Sequence, residues 1–175
     1  MARRTKVRLP PPPPILGVMP VAPPGALIAL EQQRLNHERE RGTRCSCCGQ
    51  HVKVYPRPVN SSMARWLIDL CRKTTVLADG SFTWTNVKVT KARGGDYAKL
   101  LYWGLIEKQT PADGRNSGLF RPTAAGIEFA QRRTRVVQYI FLYNKQLLGW
   151  GGEFVDIVTA LGKKFDYDAL MRGEG

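Results

Sequence analysis

The chain has 175 residues, 43% of them hydrophobic, and carries 27 Lys/Arg against 14 Asp/Glu, for a net charge of +13 and a sequence pI near 10.0. That apolar content excludes a globally disordered chain. The charge surplus favours a polyanionic partner, whether DNA, RNA or an anionic membrane surface.

The surplus is uneven. Residues 1–58 and residues 59–135 each carry a net +7, whereas residues 136–175 carry −1. The basic character therefore belongs to the first three quarters, and the last quarter has another task.

Residues 1–25 read as a disordered, basic, proline-rich arm. Eight prolines fall within residues 10–24, which cannot continue the apolar helix of a secretory signal. The run Pro10–Pro14 favours extended polyproline II, suited to a linker or a docking peptide. No apolar run approaches the roughly 20 residues that span a bilayer, so no membrane role is expected. Clustered rather than spaced cysteines point to a reducing compartment, the cytoplasm.

Residues 26–58 hold a helix over about Ala26–Arg41, stopped at Gly42, and then the stretch "TRCSCCGQH". Cys45-Ser46-Cys47-Cys48-Gly49 contains Cys-x-x-Cys-Gly, the turn of zinc ribbons and knuckles. Two thiolates three apart can face one metal, and Gly49 permits the positive φ such a turn often needs. This is half of a tetrahedral zinc site, with His51 and His37, the only histidines, as candidates to complete it and Cys47 as a third. A redox pair is expected at a helix N-terminus in a βαβ setting, and a cysteine nucleophile needs an oriented histidine base; neither setting is visible. A metal-free turn, or one completed by a second chain, stays open. The expectation is structural zinc on Cys45, Cys48, His51 and His37, clamping the N-terminal helix onto the domain that begins near residue 59. "VKVYPRP" is a short strand-like run ended by two prolines.

In residues 59–135, "NSSMARWLIDLCRKT" is an amphipathic helix with Asn60, Ser61 and Ser62 as cap candidates and Cys71 on its apolar face, a core cysteine. "FTWTNV" alternates like a strand. Asp96–Trp103 is a short helix after a Gly94-Gly95 turn and before Gly104. "LIEKQT" and "LFRPT" flank a turn-rich loop, and Thr123 caps a last helix, "AAGIEFAQRR".

This order, with "LLYWGLIEK" followed by "GLFRPTAAGIEF", resembles the winged helix-turn-helix over about residues 60–133. Leu100 stands four residues before the Gly104-Leu105-Ile106 step, as at the end of many recognition helices, and Thr123-x-x-Gly126 matches the hinge into the final helix. With the CxxCG turn in front, the layout is also similar to small bacteriophage proteins of unassigned function. The resemblance implies an α+β fold and double-stranded DNA as partner. Tyr97, Leu100 and Trp103 would anchor the recognition helix, leaving Lys99, Tyr102 and Arg93 outward. The wing would offer Lys108, Arg115, Asn116 and Arg121 to phosphates and the minor groove. Lys88 and Lys91 would lie on the preceding helix, where backbone contacts are typical. Asp96 can cap the helix but repels phosphate.

Residues 136–175 read as a β-hairpin around Asn144-Lys145, then a short helix, a break at Gly162 and a second helical turn. This near-neutral, aromatic segment suits either a protein interface, with a homodimer among the options, or completion of the core.

No catalytic constellation stands out, so a binding protein rather than an enzyme is expected. Two functions remain: a phage-type transcription regulator that binds duplex DNA, or an interaction protein that docks on a host protein or nucleoprotein machine such as a polymerase or a defence complex.

Overall fold

The computed structural model describes residues 24–88, 90, 95–115 and 117–174. Residues 1–23 of the expected arm, together with Lys91, Arg93 and Asn116, lie outside them. The fold is mixed α and β, and the chain divides into two compact units, Met1–Val52 and Lys53–Gly175. The boundary thus falls within "VKVYPRP", leaving Val52 with the cysteine turn and putting residues 53–58 with the second unit.

In the first unit, helix α1 spans Pro24–Glu38. It starts two residues earlier than the sequence suggests, because proline fits the first helical position, where its missing N–H has no partner to lose. Its end is marked by Gly42, whose N–H donates to the Glu38 carbonyl at 3.1 Å with φ at 86°. Two short strands, β1 (Thr43–Arg44) and β2 (His51–Val52), pair antiparallel with Arg44 opposite His51 and carry the cysteine turn between them.

The second unit is organised around helix α2, Ser61–Lys73. Asn60 caps it, its side chain accepting the Met63 N–H at 3.0 Å. Met63, Leu67 and Leu70 recur on one side, and they are buried together with Ala64, Trp66 and Ile68. Removing each large apolar side chain from water contributes about 1.5–3 kcal/mol, so this helix supplies much of the core. Cys71 packs at the edge of that core, and burial pushes its thiol up to about 12.

The strand expected from "FTWTNV" is reduced to β4, Thr85–Asn86, preceded by an isolated bridge between Val76 and Phe82. The Asp96–Trp103 segment is helical, but a 3-10 helix ended by Gly104 in the left-handed region at φ 68°. Strands β5 (Ile106–Lys108) and β6 (Leu119–Pro122) flank the expected turn-rich loop and pair antiparallel, with β4 on the other side of β6. Helix α3, Ala124–Ala130, comes next, capped by the Thr123 hydroxyl, which accepts the Gly126 N–H at 3.0 Å.

A second three-stranded sheet has the order β3-β7-β8, from β3 (Tyr55–Pro58), β7 (Val136–Tyr143) and β8 (Gln146–Val155). Pro56 lies within β3 and Pro58 is its last residue, which an edge strand tolerates because one row of its backbone groups faces away from the ladder. Asn144 and Lys145 make the expected two-residue turn. Both have positive φ, 47° and 62°, the backbone that matches the twist of the strands they join. Helices α4 (Ile157–Leu161) and α5 (Tyr167–Arg172) then return to pack on α2. Val155, Ile157, Leu161 and Leu170 are buried in the same cluster as Leu67, Leu100 and Phe129, so residues 136–174 complete the core.

Candidate nucleic-acid interface

Three aromatic rings fix the 3-10 helix. Tyr97 stacks on Trp66 with centroids 4.6 Å apart, and Phe120 of β6 meets both rings edge-on at 5.5 and 5.7 Å. Leu100 is fully buried, and the Trp103 indole N–H donates to the Val137 carbonyl at 2.7 Å. Tyr97, Leu100 and Trp103 are thus the anchors that helical spacing suggests. The remaining side, with Lys99 and Tyr102, borders an open cleft of about 790 Å³.

The opposite wall of that cleft comes from β3 and the β7–β8 turn. Tyr55 lies opposite Leu142 in the ladder, which sets the start of β3 beside the hairpin tip. Tyr55 and Arg57, two apart on a strand, project to one side. The Arg57 guanidinium lies over the Tyr55 ring at 5.4 Å, and both residues are exposed. Lys145 enters from the turn and Lys108 from the end of β5. Four cations and two tyrosines therefore line one cleft, and among the described residues no carboxylate lines it. Asp96 sits beside it: its carboxylate accepts from Lys99 three residues on and caps nothing, the position before the helix being Gly95.

The cleft is braced by two hydrogen bonds. The Tyr102 hydroxyl donates to the Lys145 carbonyl at 2.7 Å, and the Trp150 indole N–H donates to the Tyr102 carbonyl at 3.2 Å. The hairpin thereby holds the exposed flank of the 3-10 helix.

Of the residues picked from sequence, Lys99, Tyr102 and Lys108 converge here. Lys88 does not; it occupies the turn after β4 rather than a helix, its N–H donating to Asn86 Oδ1 at 2.9 Å. Arg115, 87% exposed, lies in the loop near Asp113 at 3.7 Å. Arg121 is committed elsewhere, bonded to Glu107 at 2.7 Å with its guanidinium 4.5 Å over the Trp84 ring. Sequence reasoning missed Tyr55, Arg57 and Lys145. The Tyr-x-Arg spacing in "VKVYPRP" was the one local signal; the pairing of β3 with β7 leaves no trace in sequence.

A second, apolar groove of about 640 Å³ lies on the far side of Tyr102, between Leu101 and the strands β7 and β8. Trp150 and Phe154 stand in it 56% and 66% exposed.

The cysteine turn of the first unit is tight. The Cys45 N–H donates to the Gln50 carbonyl, and the Gly49 N–H to the Cys45 carbonyl, both at 2.9 Å, with Gly49 at φ 71° as expected. The Cys45 sulfur accepts the backbone N–H groups of Cys48 and Cys47, which holds its pKa below the usual thiol value. The neighbouring Cys45 charge raises that of Cys47. The turn is tied to α1 through Glu31 and Arg34. Arg34 bonds both Glu31 oxygens at 2.7 and 2.9 Å, Glu38 at 2.7 Å and the Arg44 carbonyl at 2.7 Å. Ser46 N–H donates to Glu31 at 2.8 Å. These bonds hold the Glu31 carboxyl down at about 2, Arg34 contributing most. Amide-supported sulfur on Cys45 suits a metal ligand. Among the described residues no three His, Cys, Asp or Glu side chains stand close enough to hold one ion.

Searches against protein-family models, curated proteins and solved structures found no match. Among the described residues no helix is long and apolar enough to cross a membrane.

Proposed function

We propose that this chain is a nucleic-acid-binding protein that grips the backbone of double-stranded DNA, in the manner of a phage-type transcription regulator. The observation that carries this reading is the convergence of Arg57, Lys99, Lys108 and Lys145 on one cleft, with the Asp96 carboxylate, bonded to Lys99, beside it and not in its lining. Such a surface concentrates phosphate oxygens, and the net charge of +13 draws a polyanion toward it over longer range. Phosphate contacts from Lys and Arg position a protein on a duplex before any base is read.

The test is affinity for random-sequence duplex DNA across a salt series. Log affinity should fall linearly with log salt, by about 0.9 for each phosphate neutralised. Lys108→Glu with Lys145→Glu should flatten the slope and weaken binding on every sequence alike. Weak, salt-independent binding by the wild type would overturn the reading.

In the same proposal, Cys45 and Cys48 supply thiolates to a structural zinc ion, with His51 and His37 as the ligands to complete it. Zinc would tie the turn to its flanking strands. Purified protein should carry about one zinc per chain and lose it in the Cys45→Ser, Cys48→Ser variant; retention there would exclude zinc at this turn.

A second reading has its own observation. The apolar groove with Trp150 and Phe154 exposed is the composition of a protein-docking surface, where large aromatic anchors carry most of the energy. Because Phe154 lies in the apolar groove and not in the cleft, Phe154→Ala should leave DNA affinity intact under the first reading and weaken capture of a host protein under the second.

A further inference from the structure

Deepening the nucleic-acid reading, and resting on it, we propose that the cleft between the 3-10 helix and the β7–β8 turn takes an unpaired segment of the nucleic acid, with a base stacked at Tyr55. The segment would be an overhang, gap or opened stretch adjoining the duplex.

Two features of the cleft point this way. The first is its bracing. A major groove about 12 Å wide is filled by one helix of 10–12 Å diameter with its side chains. Here the outward flank of the helix is bonded to a hairpin through Tyr102 to Lys145 and Trp150 to Tyr102. Helix and hairpin together are too thick for that groove. Lys99 and Tyr102 face the space between the two walls instead, so they are placed to meet a strand that enters the cleft and not base edges stacked inside a duplex.

The second is the chemistry of the lining. Binders of single strands combine a cationic groove along the backbone with aromatic faces on which bases stack. Tyr55 presents an exposed ring, and Arg57, already lying over it, offers a guanidinium plane that also stacks on bases. Lys99, Lys108 and Lys145 line the same cleft and supply the charge for the phosphates of such a strand. A Watson–Crick duplex keeps its base faces covered by their neighbours and has nothing to offer Tyr55. An unpaired nucleotide does.

The experiment uses the full chain and three probes: a blunt random-sequence duplex, the same duplex with an unpaired extension, and a single strand of that extension. The extension carries 2-aminopurine, whose emission reports stacking. The extended duplex should bind about tenfold more tightly than the blunt one, with the emission quenched on binding. Tyr55→Ala should remove both the advantage over the blunt duplex and the quench, and Tyr55→Phe should restore both. Because Tyr55 is exposed on an edge strand, the variant keeps the core, which an unchanged thermal midpoint would verify.

Equal affinity for blunt and extended duplexes, with strong salt dependence but no quench, would overturn this inference and leave the duplex reading standing. An extension advantage that survives Tyr55→Ala would overturn the assignment to this cleft. Failure of all three probes to bind would remove the nucleic-acid reading as well.

Discussion

Thr123-Ala-Ala-Gly126 shows what one residue decides. A Cβ at Gly126 would overlap the carbonyl oxygen of Leu105, a backbone atom that cannot swing aside. The same carbonyl accepts the Thr123 N–H at 3.1 Å, and the Thr123 hydroxyl donates to the Gly104 carbonyl at 2.6 Å. The Thr-x-x-Gly signature is thus a packing requirement: α3 must approach the Gly104–Leu105 backbone closely enough to exclude a methyl group. Gly126→Ala should cost about 3 kcal/mol, read as a lower thermal midpoint. Thr90 makes a second demand. Its buried hydroxyl accepts the Trp66 indole N–H at 2.7 Å and donates to the Val87 carbonyl. Thr90→Val keeps the shape but leaves a buried donor unpaired, at a cost of about 1–3 kcal/mol in denaturant melts.

At the scale of elements, the cysteine turn and α1 are joined through a carboxylate whose pKa is depressed. Glu31 falls from 4.5 to about 2, so its contribution is complete above pH 4.5 and is lost as pH falls through about 2. The Ser46 amide resonance should therefore be constant from neutral pH down to about 4.5, then titrate with a midpoint near 2. Glu31→Gln should shift it at every pH. The 3-10 helix is held differently. Its three anchors are apolar or aromatic, and it keeps eight residues of a hydrogen-bond pattern that seldom runs long because Trp66, Phe120 and the Val137 carbonyl fix it from outside.

For the second unit as a whole, the segment after residue 135 is not separable. It contributes Ile157 and Leu161 to the core around α2, and β7 is the partner of β3. A chain ending at residue 135 should lose cooperative unfolding, and a circular-dichroism melt of that truncation should show no sharp transition. A point substitution at Phe154 is for that reason the sound way to probe the hairpin as an interface. The charge map agrees with the architecture only in part: the near-neutral last quarter supplies Lys145, one of four cations in the cleft.

Local patterns made the elements legible. The Asn60 cap, the apolar spacing of α2, the Thr123 cap and the Asn144-Lys145 turn each state their structure within a few residues, because caps, turns and amphipathic faces are short-range physics. Lys99, Tyr102 and Lys108 were visible by the same logic. For Arg121, sequence displays the charge but not the carboxylate of Glu107 opposite it in the ladder. The cleft itself was hidden. It exists because β3 pairs with β7, a strand far along the chain, and because Tyr102 meets the hairpin turn 43 residues on. Sequence alone determined that the chain is basic, mixed α and β, and holds an amphipathic helix with one buried face. Only the tertiary structure decided which cations share a surface, because that depends on strand pairing, and pairing is settled by the burial of the whole core.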